Sequence, residues 1–155
     1  MIKRQWRLER IVRIAQEYLA ADTAAELLAA ELKADPNYGE ARGWSARAGG
    51  DVVENLPATY VVRIYAEFEA GLRDYWQTHL GQANHPPMIQ LVRHLIPNQR
   101  FSQDCIDNAD EVRIFRNFLV HDFLDEPPAD MVAFTVFEAK KHLCDYFARL
   151  DATWQ

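Results

Sequence analysis

Cysteine is scarce in this chain: Cys105 and Cys144 are its two, and they lie far apart. That excludes a disulfide framework and any CxxC redox or zinc motif, and it makes a reducing cytoplasm the expected setting. Glycine is also sparse, with six residues, four of them between positions 39 and 50. No Gly-rich phosphate loop and no nucleophile elbow is present. Long apolar runs are missing. A bilayer span needs roughly 20 consecutive apolar residues, so no membrane segment is expected. The opening residues Met1 to Arg7 carry positive charge with no apolar stretch behind them, unlike a secretion signal. Net positive charge is lacking too. A formal charge of −6 argues against a general nucleic-acid coat but leaves room for one local basic site. Low-complexity segments and repeats are absent.

What is present is hydrophobic periodicity at helical spacing. Hydrophobic residues make up 49% of 155 positions, enough for one compact core. Residues 1–155 therefore read as a single all-α domain, an antiparallel bundle of four to five helices. The first helix spans about Lys3–Lys33, with Leu8, Ile11, Val12, Ala15, Tyr18, Leu19, Ala25, Leu28 and Leu32 as its apolar stripe. Asp35-Pro36-Asn37 stops it. A long loop follows at about 36–55. Within it, Trp44 between Arg42 and Arg47 suits either a base-stacking role or a tuck onto the bundle. The second helix is expected from Pro57 to Leu80 and the third from Met88 to Ile96. The fourth, at about Ile106–Leu124, is expected to be central. The fifth runs at about Ala129–Leu150. Its segment Val132–Phe137 has the composition of a strand but lacks a pairing partner.

The fourth helix carries the chemistry. On a wheel of about 100° per residue with Arg116 at zero, Arg113 falls near 60°, Asn117 near 100° and His121 near 140°. Val112, Phe115, Phe118 and Leu119 fall at about 200–320°. The expectation is a core face opposed by a face presenting a cation, an amide and an imidazole. RNA can be cut by its own 2′-hydroxyl. That reaction needs a base for the hydroxyl proton, an acid for the departing 5′-oxygen and a fixed cation for the phosphorane. Histidine serves as acid or base, and arginine binds phosphate with a planar fork. One histidine cannot hold both protonation states at once; two copies related by a two-fold axis can.

The run Arg116-Asn117-Phe118-Leu119-Val120-His121 resembles the Arg-(four to six residues)-His signature of the HEPN superfamily, in which a polar residue, often Asn, follows the Arg. The helical layout covers the whole chain and the motif six residues of it. The resemblance implies a helical bundle and a metal-independent endoribonuclease without cofactor, its composite site formed across a homodimer. Toxin or anti-phage roles, and a cognate antitoxin partner, are implied in the same way. Arg116, Asn117 and His121 take the catalytic positions; Arg113, Arg4 and Arg7 are expected RNA contacts. A non-catalytic HEPN-like module that binds RNA or protein is the alternative.

Other patterns compete. Arg73 to His79 fits the looser motif spacing but has Asp74 where Asn is wanted. Phe123 stands where antitoxin-paired relatives carry a modifiable tyrosine, so control by nucleotide transfer there is not expected. Arg4, Arg7, Arg10 and Arg13 recur every three residues, as RNA contacts or simply as a solvated face paired with Glu9 and Glu17. Glu138 and His142 are four apart, with no second pair to complete a di-metal centre; no metal site is expected.

Overall fold

The computed structural model describes residues 3–95, 102–121 and 127–154. Among them are five α-helices and no strand: α1 (Lys3–Ala34), α2 (Ala46–Asp74), α3 (Met88–His94), α4 (Gln103–His121) and α5 (Val136–Phe147). The all-helical bundle expected from the periodicity is what the chain adopts. No described helix is long and apolar enough to cross a membrane.

The first two helices form an antiparallel pair, as their cross-helix partners show. Lys3 meets Asp74, Arg7 meets Glu67, and Glu17 meets Arg63, so numbers rise along one helix as they fall along the other. The centre of the bundle is α2, not α4. It buries Tyr60, Val61, Ile64, Tyr65, Phe68, Gly71 and Leu72 and packs against each of the other four helices. The stripe on α1 is narrower than expected. Ile11, Ala15 and Ala25 are buried, whereas Val12 and Leu19 are exposed.

Two boundaries differ from the sequence expectation. Helix α2 starts at Ala46, so the loop is shorter than 36–55, and Pro57 lies inside the helix rather than in its first turn. The reason is local. Ser45 caps the helix by accepting from the Ala48 amide at 3.2 Å. Gly49 is there because the Trp44 ring and the Leu32 side chain occupy the space a Cβ would need. Two of the glycines that suggest a loop, Gly39 and Gly49, are thus sites of close packing, and Trp44 tucks onto the bundle. Helix α5 starts at Val136, not Ala129. Thr135 and Glu138 form a capping box there, and this sets the first turn. Residues 132–135 are neither strand nor helix. The expected ends of the third helix at Ile96 and of the fourth at Leu124 lie outside the described residues.

At its C-terminal end α2 continues into a π-helical turn, Tyr75–His79, whose Leu80 amide donates to the Tyr75 carbonyl. That turn places the Tyr75 ring edge-on to Trp154, 5.3 Å between centroids. Phe68, Tyr146, Phe147 and Trp154 close the same end of the core and are fully enclosed. Arg4 ties α1 to the chain after α5 by donating to the Leu150 carbonyl at 2.9 Å.

Gly71 sits against this cluster, and an added Cβ would run into the Phe147 ring. Alanine normally favours a helix over glycine by about 1 kcal/mol. Phe147 has no room to yield, because Phe68 and Trp154 pack around it. Gly71→Ala is therefore expected to lower stability by roughly 1–3 kcal/mol, the usual cost of overpacking. Urea unfolding followed by circular dichroism measures it, and a gain in stability would contradict the packing described.

Candidate functional site on α4

Helix α4 packs on α2, α3 and α5. Its buried residues are Cys105, Ala109, Asp110 and Val112. With Arg116 at zero on a helical wheel, Cys105, Ala109 and Val112 fall within about 40° of it. The inward direction of α4 is thus the Arg116 direction, which corrects the expected division of the helix into a core face and an opposed polar face. Phe115, Phe118 and Leu119 are half-buried on the flank, while Ile114, Val120 and His121 are exposed.

A polar seam runs along the edge of this inward side. Asp110 is buried, its side chain 3% exposed, and it is held by two arginines. Arg93 of α3 donates at 2.6 Å to one carboxylate oxygen, and Arg113 donates at 2.6 Å to the other. Burial alone would raise the Asp110 pKa; the hydrogen bonds from Arg113 and Arg93 outweigh it and hold the carboxyl below its usual range. Arg113, expected to contact RNA, is therefore committed to an internal ion pair and is 16% exposed.

Arg116 is bound differently. It donates to the Asn117 amide oxygen at 3.0 Å, and its guanidinium lies 5.6 Å from the centre of the Tyr65 ring on α2. Among the described residues it has no carboxylate partner. Its Nε and the Tyr65 hydroxyl are both buried without a hydrogen-bond partner. Desolvation pushes the Tyr65 hydroxyl pKa well up, with Glu69 adding to the effect, so the phenol stays neutral and available as a donor. The arrangement gives a cation fixed from below by an aromatic ring, with part of its hydrogen-bonding capacity unspent.

His121 ends α4. It lies about 140° around the helix from Arg116 and is exposed. The motif residues are thus divided: Arg116 and Asn117 touch each other, and His121 stands apart on the solvent side. No described cavity is lined by both Arg116 and His121. Asp110, the buried carboxylate of this helix, is taken up by Arg93 and Arg113 and leaves Arg116 unneutralised.

The other candidates fall into place around this helix. Arg4 caps the carbonyls of Ala148 and Leu150. Arg7 and Arg10 both bind Glu67, not Glu9, and Glu17 takes Arg63. Arg73 is held by Glu69 and donates to the Pro86 carbonyl. His79 stacks on Tyr75, 4.7 Å between ring centres. The Arg73/His79 spacing therefore serves packing at the end of α2. The Phe123 position lies outside the described residues. Burial raises both thiols, Cys144 to about 11, so neither is a ready nucleophile. Comparison of the chain with family models, curated proteins and solved structures finds no match.

Asp110 is where the seam can be tested. Its folded pKa is lowered, so its contribution to stability is present above the unfolded value and disappears as pH falls through the folded one. Asp110→Asn is expected to cost roughly 3 kcal/mol, the low end for breaking a buried pair, because Arg93 keeps its access to water. The variant should also lack part of the parent's fall in stability as pH drops below the ordinary carboxylate range. Denaturant midpoints recorded across that range decide it; identical pH profiles would remove Asp110 from the account.

Proposed function

We propose that the chain is a metal-independent endoribonuclease of the HEPN type, working as a homodimer. The observation that supports this reading most is the state of Arg116: a guanidinium with no carboxylate partner among the described residues, packed on Tyr65 and positioned by Asn117. A cation kept unneutralised at a partly buried position suits a developing phosphorane charge. His121, exposed at the end of the same helix, supplies the group that moves protons.

In the proposed reaction one His121 takes the 2′-hydroxyl proton as the 2′-oxygen attacks phosphorus. Arg116 holds the phosphorane. The bond to the 5′-oxygen breaks, and the second copy's protonated histidine delivers a proton to that oxygen. The products are a 2′,3′-cyclic phosphate and a 5′-hydroxyl. Because Arg116 and His121 point about 140° apart within one chain, a site that uses both draws them from two copies. Exposed Val120 beside His121, and exposed Ile114 earlier on the helix, suit a mixed apolar and polar interface.

The second reading is a non-catalytic HEPN-like module that binds RNA or a protein partner. What favours it is the commitment of Arg113, Arg4 and Arg7 to internal partners, which leaves the α4 face with little free positive charge.

Cleavage separates the two. Purified protein is expected to cut single-stranded RNA in excess EDTA, to leave a cyclic phosphate, and to spare DNA, which lacks the nucleophile. His121→Ala and Arg116→Ala should each lower the rate by about 10²–10³, typical for removal of a preorganised transition-state donor, with the helical spectrum retained for His121→Ala. His79→Ala should cleave as the parent does. Sedimentation should give a dimer at micromolar concentration. Undiminished cleavage by His121→Ala refutes the catalytic assignment, and absence of cleavage with RNA still bound favours the module.

A further inference from the structure

The groove between α1 and α2 contains a cluster of cations that the α4 site does not use. A cavity of about 600 Å³ opens at its Lys3 end, between Trp6 of α1 and Arg73 of α2. A second, of about 420 Å³, follows along the same two helices, between Arg13 and Arg63. Together the two are lined by six cations, Lys3, Arg7, Arg73, Arg10, Arg13 and Arg63, against three carboxylates, Asp74, Glu17 and Glu67. The whole chain carries −6, so the groove has the opposite sign to the body around it.

The carboxylates fix the cations and leave Arg10 and Arg63 open to solvent. Glu67 is buried, 8% exposed, beneath Arg7 and Arg10, while Arg10 and Arg63 keep 47% and 42% of their side chains in solvent. Arg13 is exposed and has no carboxylate partner among the described residues. Trp6, partly exposed, lines the first cavity, with the guanidiniums of Arg7 and Arg10 each 4.8 Å from its ring centre. Planar cations set on an aromatic at the edge of a basic groove offer stacking surfaces for bases as well as charge for phosphates.

The groove also has a direction. Lys3 to Arg13 covers about 15 Å of helix. Arg63, at the far end, lines a third cavity together with Leu119 of α4. A path thus runs from the start of α1, past Arg13 and Arg63, to the Leu119 side of α4.

We infer that this α1/α2 groove is the track along which single-stranded RNA reaches the α4 site, its phosphates held by the arginines and its bases stacking beside Trp6. The inference rests on the ribonuclease reading, whose site it supplies with substrate. Duplex RNA does not fit the role, since its bases are closed to stacking.

The test uses full-length His121→Ala protein, so that RNA stays intact, and a fluorescein-labelled 12-nucleotide oligouridylate read by anisotropy. Adding Lys3→Gln and Arg13→Glu should weaken binding by about tenfold or more at moderate salt. It should also lower the slope of log K against log salt by about 0.7 for each phosphate that the variant no longer neutralises. Arg47→Glu, an exposed cation at the start of α2, controls for net charge and should change affinity little. With 4-thiouridine RNA, photo-crosslinks are expected in α1 and α2 between residues 3 and 13 and between 63 and 73. Unchanged affinity and slope, or crosslinks confined to α4 and α5, overturn the track and leave the ribonuclease reading standing. An equally large weakening by Arg47→Glu overturns it as mere charge. Absence of RNA binding by the parent overturns it as well, and the EDTA cleavage assay then judges the ribonuclease reading separately.

Discussion

Two carboxylates are buried among the described residues, Glu67 and Asp110, and much of the molecule is arranged around their charges. An ionised carboxylate taken from water is costly unless it is both paired and hydrogen-bonded. Each of these is met by two arginines, one mostly buried and one reaching solvent: Arg7 with Arg10, and Arg113 with Arg93. The first set fastens α1 to α2; the second fastens α3 to α4. The helix that carries the motif is therefore oriented by Asp110, and Arg116 comes to face Tyr65 as a consequence. Apolar packing agrees with this rotation, since the buried Cys105, Ala109 and Val112 lie within about 40° of Arg116 around the helix.

That constraint explains which parts of the fold are legible in the chain. Helix existence follows from local periodicity, and α1, α3 and α4 lie where it puts them. Helix rotation does not. A wheel assigns inside and outside by residue type, and on α4 the types mislead. Arg113 and Asp110 turn inward because they neutralise one another, while Ile114 and Val120 are left outside. The same holds for α2. Glycine and proline signal a loop up to Pro57, yet Gly49 belongs to a helix because Trp44 and Leu32 press against it, and only the folded chain shows that contact.

The site is legible in part for the same reason. The run Arg116-Asn117 to His121 stands out because its side-chain chemistry is unusual for a helix, and Arg116 does contact Asn117. Nothing local to Arg4 or Arg7 signals that they are already occupied, since their partners lie far along the chain, 146 positions away in the case of Arg4 and Leu150. Tyr65 gives no signal either, because a tyrosine among Val61, Phe68 and Leu72 reads as plain core. Its unpartnered hydroxyl is a property of three-dimensional packing. The spacing Asp110 to Arg113 is the one available clue, as an i, i+3 pair of opposite charge can close on itself.

An acidic body with a basic seam has a consequence for recognition. Long-range attraction of nucleic acid to a chain of charge −6 is weak or repulsive, so on the proposed reading encounter depends on the short-range field of the α1/α2 groove, which salt screens over about 8–10 Å. A strand that enters the groove meets more cations than carboxylates. The same arginines that bind Glu67 to stabilise the bundle therefore set a geometric condition on any polyanion. The pairing that uses part of their hydrogen-bonding capacity also fixes them in the line that a flexible, unpaired strand can follow.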